Sequence, residues 1–439
     1  MPGIWQGSSL TGYRFLNQKI RILSHAHQGI RMHKAMGKNL VVCLDGTNNE
    51  FGDTNTNVVR LFQSLQRDEQ RQHTFYDPGV GTMGHPGAIS GTMQKLTQIL
   101  GMAFGLGVTQ NISDAYLFLM RGYLPGDSIY IFGFSRGALE ARALAGLLHR
   151  CGLLRPDLEN MIPYAIRVFR TPNNFKIADE FKATFCREAR TRFLGLWDTV
   201  TSFGNVWSPI HWPNVTNNPD VQTVRHAIAL DERRAFFRQN RWGFGSKPSG
   251  QDVRELWFAG VHCDVGGGYA PGESALWTTP LDWMAREAAA AGLLVNRTEL
   301  DNVISTAREA CADPDGVTSL LHDSMPGLGP VWYLAEWVPR RRWRGKYADG
   351  SDNYEWMWPV AHWFWPWLTG KGKMGRARSI GRARELQDGE RLHRSVIQRF
   401  VADGSYRPDS LVRLRLTEEA ARAFLASRDE SMQVRLTRG

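Results

Sequence analysis

The chain has 439 residues, 42% of them hydrophobic and 22% charged, a balance that allows a substantial buried core and excludes a largely disordered protein. Its formal net charge of +10 favours anionic partners such as a phospholipid surface, and the zinc spacings and RNP-like aromatic strands of nucleic-acid binders are missing, so nucleic acid is not expected. The cysteines Cys43, Cys151, Cys186, Cys263 and Cys311 are scattered and odd in number, which argues against a disulfide framework, and none forms a CxxC pair.

Residues 1–38 read as a basic N-terminal extension, with an amphipathic helix expected around 17–34. They lack the continuous apolar stretch of a signal peptide, and no run in the chain approaches the length that crosses a bilayer. The expectation is synthesis in the cytoplasm, with any export using a route that reads no cleaved signal.

From Asn39 a repeated grammar begins. Short apolar runs at 40–44, 128–132, 193–197 and 256–261 have the length and composition of buried parallel strands. They end in Asp45-Gly46-Thr47-Asn48, Gly133-Phe134-Ser135, Asp198 and His262 respectively. Between and after them lie helix-like segments at 111–121 and 137–148, and one led by Thr279-Pro280 as cap and first residue, running to Gly292. The alternation predicts an α/β fold over 39–300, with a mostly parallel sheet and helices on both faces. In such a sheet reactive groups gather at the carboxyl ends of strands, where Asp45, Ser135, Asp198 and His262 all stand.

The character changes after residue 300. Trp332, Trp337 and a run of arginines at 340–342 precede Trp356, Trp358, Trp363, Trp365 and Trp367, and a basic stretch then runs to Arg384. The region 301–394 reads as a cap, lid or membrane-contact insertion rather than regular sheet. Residues 395–439 read as a closing segment with a helix at 418–427.

Gly133-Phe134-Ser135-Arg136-Gly137 matches G-x-S-x-G in the setting this motif needs, a strand before it and a helix after it. A serine on that sharp turn projects its hydroxyl from the sheet edge, and the flanking glycines avoid crowding it. A serine hydroxyl needs a base to take its proton and a carboxylate to orient the base. Asp198 and His262 follow in the chain order of the hydrolase fold, so Ser135, Asp198 and His262 are the expected triad. His226, His322 and His393 are rivals for the base and Asp264 for the acid; His262 is preferred because it alone ends a clear strand. His226 with Asp231 and Glu232 reads as a structural network, Asp264 as a brace for the glycines that follow, and Cys263 as packing. The Arg136 N–H and that of Gly46 or Thr47 are the expected oxyanion donors, although Asp45 and Asn48 could equally knit that loop by Asx-type hydrogen bonds. Metal binding by Asp45 and Asp53 has no clustered ligand spacing behind it, so neither metal nor cofactor is expected.

Several segments together resemble a known family. They are Cys43 to Asn48, Thr56-Asn57-Val58, Gly133 to Ala138, Trp197 to Val200, His226 to Arg233, and Trp257 to Tyr269. In this order they look like the catalytic domain of type VI secretion lipase effectors of the first class, a family first known only as a domain of unknown function. The resemblance covers roughly residues 39 to 300. It implies an α/β-hydrolase fold, phospholipase A activity on bacterial phospholipids and delivery into a target cell's periplasm. It also implies a secretion carrier and an immunity protein as partners, and its triad falls on Ser135, Asp198 and His262.

A phospholipase must work at a bilayer surface, where Trp favours the headgroup level and Lys or Arg attracts anionic headgroups. Membrane contact through Trp363, Trp365 and Trp367 is therefore expected, against the alternative of a Trp-rich cap core. Two other functions fit the same residues: an esterase or thioesterase acting on a soluble substrate, and a hydrolase-fold interaction module without catalysis.

Overall fold

The computed structural model describes residues 37–46, 52, 54–79, 104–200, 204–205, 208–209, 213–234, 237, 240–243, 250–270, 272–324, 340–346, 352–357 and 384–435. The chain divides into two compact units, Met1–Gly37 and Lys38–Gly439. The helix expected at 17–34 lies outside the described residues, which apart from Gly37 all belong to the second unit.

Eight strands form its sheet: β1 (Asn39–Leu44), β2 (Gln72–Asp77), β3 (Ser128–Phe134), β4 (Thr191–Trp197), β5 (Val221–Ala229), β6 (Asp252–Phe258), β7 (Arg391–His393) and β8 (Ser431–Gln433). Their order is β8-β7-β6-β5-β4-β3-β1-β2. Neighbours run parallel except β7 and β8. The fold is α/β, as its sequence grammar predicts. Two of the strands come from beyond residue 300, so the C-terminal segment completes the same sheet.

The helices are α1 (Asn57–Gln63), α2 (Phe104–Gly122), α3 (Arg136–Cys151), α4 (Ile162–Arg170), α5 (Phe175–Phe185), α6 (His262–Gly266), α7 (Thr278–Ala290), α8 (Arg297–Ala310), α9 (Arg394–Ala402), α10 (Asp409–Arg413) and α11 (Glu418–Ala426). Strand alternation sends Leu40, Val42, Ile129 and Ile131 to one face, where α2 to α5 cover them. It sends Val41, Cys43, Tyr130 and Phe132 to the other, under α1, α7 and α8. With both faces covered, the strands must be apolar throughout, and the sequences NLVVCL and SIYIFGF satisfy that. A third cluster joins Ile228, Trp257 and Leu392 of the sheet to α9, α10 and α11. Burying a large apolar side chain of this kind contributes roughly 1.5–3 kcal/mol, so the C-terminal segment is held by the core.

Three local expectations are corrected. β6 ends at Phe258, and His262 opens α6 instead of ending a strand. Gly260 takes φ +113, and the Asp264 carboxylate accepts the Val261 N–H at 3.0 Å, so the chain leaves the sheet and winds into a helical turn first. α7 starts at Thr278 with Trp277 in the cap position, displacing the expected Thr279 cap. Within the insertion, Arg340–Lys346 and Asp352–Met357 pair as an antiparallel hairpin, so this part is regular after all. Among the described residues no helix is long and apolar enough to cross a membrane.

Candidate active site

β1 lies between β2 and β3, so the strand order reverses there, and crevices at the carboxyl ends of strands at such a reversal are where open α/β sheets bind ligands. Ser135 stands at this point, between β3 and α3, with φ 59 and ψ −118. A non-glycine residue held in this region costs about 1–3 kcal/mol. The surroundings impose it: the Ser135 N–H donates to the Trp197 carbonyl at 3.1 Å, while α3 begins at the next residue. The motif's glycines make the turn possible. A Cβ on Gly133 would meet the Gly137 carbonyl oxygen at 2.4 Å, and one on Gly137 would meet the Leu44 and Asp45 oxygens at 2.2 and 2.4 Å. Gly137 thus lets α3 lie directly on the end of β1.

Asp198 follows Trp197, which pairs with Phe134 across β3 and β4, so Ser135 and Asp198 leave adjacent strands side by side. The Asp198 Oδ2 lies 2.6 Å from His262 Nδ1. The imidazole packs on Phe134 with ring centroids 4.6 Å apart and meets Phe237 at 4.8 Å, which sets it over the residue that precedes the serine. Nδ1 is committed to Asp198, leaving Nε2 to exchange a proton. Ser135 Oγ and His262 share no hydrogen bond among the described residues; such bonds often tighten only when substrate is bound.

The Asp198 carboxylate is fully buried and heavily supported. Its Oδ1 accepts the Ala229 N–H at 3.0 Å. Arg384 grips it with both terminal nitrogens, Nη1 on Oδ1 and Nη2 on Oδ2, the latter at 3.0 Å. Burial alone would raise its pKa, but Arg384 and His262 outweigh burial and hold it well below the usual carboxylate range. Burial also dominates at His262 and pushes its pKa below the ordinary value, against the opposing pull of Asp198. That direction favours the neutral form of the imidazole. Glu232 accepts the His262 backbone N–H at 3.2 Å and pairs with Arg234 at 2.8 Å. Burial would raise its pKa, but Arg234 brings it down to about 2.

Arg384 is the residue that sequence reasoning missed. It closes a basic stretch that reads as headgroup-binding, yet it is only 4% exposed. No local pattern marks an arginine that reaches a carboxylate 186 positions away.

The rival residues have other work. His226 is fully buried between Glu255 at 2.8 Å and the Thr199 N–H, which donates to its Nε2 at 3.2 Å. His322 bonds Asp264 at 2.7 Å and Glu273 at 3.2 Å. His393 caps α9 and stacks on Phe258 at 4.4 Å. Asp231 accepts from the Tyr406 hydroxyl at 2.9 Å. Burial pushes the Cys263 thiol up to about 12, so it stays protonated and inert.

The loop after β1 corrects one oxyanion expectation. Asp45 Oδ1 accepts the Gly46 N–H at 2.6 Å, while Oδ2 accepts the Thr56 hydroxyl at 2.6 Å and the Tyr76 hydroxyl at 3.0 Å. The Gly46 N–H is spent inside its own loop, the Asx-type knitting that is the alternative for Asp45. Thr47 lies outside the described residues, as do Trp363, Trp365 and Trp367. Arg136 opens α3, at the positive end of its dipole. Among the described residues no group of three or more His, Cys, Asp or Glu side chains is placed to hold a metal ion.

Residues 38–287, more than half of the chain, match the family model described as type VI secretion system phospholipase effector Tle1-like, catalytic domain. The chain belongs to that family. A curated relative, an uncharacterized protein of Saccharomyces cerevisiae, is 38% identical over 225 residues, 47% of this chain and 33% of its own length. Among solved structures, an uncharacterized protein from Pseudomonas aeruginosa is 18% identical with a TM-score of 0.38, over 70% of this chain and 55% of its own. The Tle1 effector bound to the VgrG spike of the type 6 secretion system is 20% identical with a TM-score of 0.29, over 55% of this chain and 53% of its own. The chain thus spans about a third of that curated relative and about half of each solved neighbour.

Proposed function

We propose that this protein is a phospholipase of the A type, a serine hydrolase that releases fatty acid from phospholipid esters, with Ser135 as nucleophile, His262 as base and Asp198 as its orienting acid. The observation that carries this reading is the 2.6 Å contact between Asp198 and His262 Nδ1, made beside the strained turn that presents Ser135. Membership of a phospholipase effector family supports the lipid substrate.

His262 Nε2 takes the Ser135 proton while Oγ attacks the acyl carbonyl, and the carbonyl electrons move to oxygen. The Arg136 N–H, at the positive end of α3, is one proposed oxyanion donor, and Thr47 supplies the other. Collapse breaks the ester C–O bond, and His262 protonates the leaving lysophospholipid. Water then gives its proton to His262 and attacks the acyl-serine, and the returned proton restores Ser135 as the fatty acid departs. Asp198 fixes the imidazole tautomer throughout.

Trp363, Trp365 and Trp367, followed by basic residues, are proposed as the membrane contact, on the preference of Trp for the headgroup level. A secretion carrier and an immunity protein are proposed as partners, supported by the family's secretion role. Mass spectrometry of lipid products from phospholipid vesicles tests the core of the reading. Wild type should release fatty acid and lysophospholipid, and Ser135→Ala should lose roughly 10⁴-fold or more of that rate. Undiminished release by a folded Ser135→Ala protein would refute it.

A further inference from the structure

We propose that Arg384 is a positioning residue for catalysis, whose buried guanidinium clamps Asp198 and sets the pH at which the Asp198–His262 couple gives up its proton. This inference rests on the hydrolase reading above.

The geometry is that of a fork on a carboxylate. Nη1 and Nη2 each reach one Asp198 oxygen, Nη1 also donates to the Ala229 carbonyl at 2.8 Å, and Nη2 donates to the Phe237 carbonyl. The four acceptors fix the guanidinium plane, and the planar fork fixes the carboxylate in turn. Oδ2 is shared between Arg384 and His262 Nδ1, so any rotation of the carboxylate that breaks the clamp also moves the imidazole. Ala229 and Phe237 bind both elements: the Ala229 N–H donates to Asp198, and the Phe237 ring packs against His262. The arginine therefore bonds Asp198, Ala229 and Phe237, three of the groups around the base, while Phe134 and Glu232 hold His262 from other sides.

Its charge matters as much as its shape. The couple is also faced by Glu232 and Arg234 from the loop after β5, and by Asp264 and Cys263 on α6 with His322 behind Asp264. His226 lies beyond Thr199 and is backed by Glu255, Arg142 and Arg241. Glu232 and Glu255 have arginine partners of their own, Arg234 and Arg241. The Asp198 carboxylate has Arg384 as its ion-pair partner besides His262. Removing that cation leaves a buried negative charge answered by the imidazole and the Ala229 N–H, with no full positive charge bonded to it. The couple then holds its extra proton to higher pH, whichever of the two residues carries it.

The test measures the rate of Ser135 labelling by a fluorophosphonate probe across pH, in the full chain, for wild type, Arg384→Met, Arg384→Lys and Ser135→Ala. Arg384→Met should move the acidic limb of the rate profile about 1 to 3 pH units towards alkaline. Arg384→Lys keeps the charge and loses the fork, so its limb should stay near that of wild type while its plateau falls roughly 10- to 100-fold, the scale of a displacement of about 1 Å in a catalytic group. A purely architectural arginine would lower the folded fraction in both variants and move neither the limb nor the plateau of the folded protein. That result, read beside thermal unfolding curves, overturns the proposal. If Arg384→Met does not fold, Arg384→Lys decides alone: a plateau equal to that of wild type sinks the clamp. Labelling that persists in Ser135→Ala would instead refute the hydrolase reading, so the two failures are distinguishable.

Discussion

Each residue of the proposed triad is held by a different physical constraint. Ser135 is set by backbone, through the turn and its glycines. Asp198 is set by charge, and His262 by ring packing and one hydrogen bond. Burial lowers the His262 pKa below its ordinary 6.5, and a base works only in its neutral form. The acidic limb of kcat/KM should therefore lie below pH 6.5, so that activity at pH 6.5 remains more than half its plateau. A pH–rate profile on a soluble ester would check this, and a limb above 6.5 would contradict the neutral resting imidazole. The glycines and the serine are legible in sequence because the turn's steric demands are local. Arg384 is not, since its role depends on a contact between parts of the chain that only the finished sheet brings together.

At the scale of elements, α1 is the piece that ties the loop after β1 to the rest of the site. Thr56 caps it by accepting the Val59 N–H at 3.3 Å and donates its hydroxyl to Asp45 at 2.6 Å. Thr56→Ala should cost about 1–2 kcal/mol from the lost cap and should also loosen the loop beside Ser135. Thermal unfolding together with hydrolysis rates would measure both; an unchanged melting temperature would show that the cap adds nothing. Four strands and three helices of 39–300 can be read from the sequence because their apolar runs and breakers are strong, while β2 and β5 with α1, α4, α5, α6 and α8 lie outside those runs. The end of β6 cannot be read in this way. Leu256 to Val261 is apolar enough to continue as a strand, and only the positive φ of Gly260 and the Asp264 side chain stop it. The hairpin at 340–346 and 352–357 is hidden for the opposite reason, since RRRWRGK is basic nearly throughout and neither it nor DNYEWM carries an apolar strand pattern.

For the whole molecule, the C-terminal segment supplies two strands, three helices and a buried histidine. Burial pushes His393 from 6.5 to about 3. The unfolded chain thus binds a proton at this position below pH 6.5 while the folded one resists it down to about 3, so stability falls with falling pH across that window. Glu232 and Glu255, both brought to about 2 from 4.5, add a second loss below pH 4.5. Asp231, which burial raises to about 6, works in the opposite direction. His393→Asn keeps a residue suited to the cap of α9 and removes the titration. Its denaturation midpoint should decline less than that of wild type between pH 6.5 and 4.5. Parallel declines in urea titrations at a series of pH values would show that the histidine is not a source of acid sensitivity.

Ser324, whose hydroxyl donates to Glu232 at 2.9 Å, and Arg384, on Asp198, stand at the two ends of the stretch 325–383. Glu232 in turn holds the His262 backbone. These two end residues are thus moored to the very posts that steady the acid and the base. Substitutions, insertions or deletions between these moorings can therefore leave the supports of acid and base in place, so that this stretch of sequence can diversify without the machinery being rebuilt.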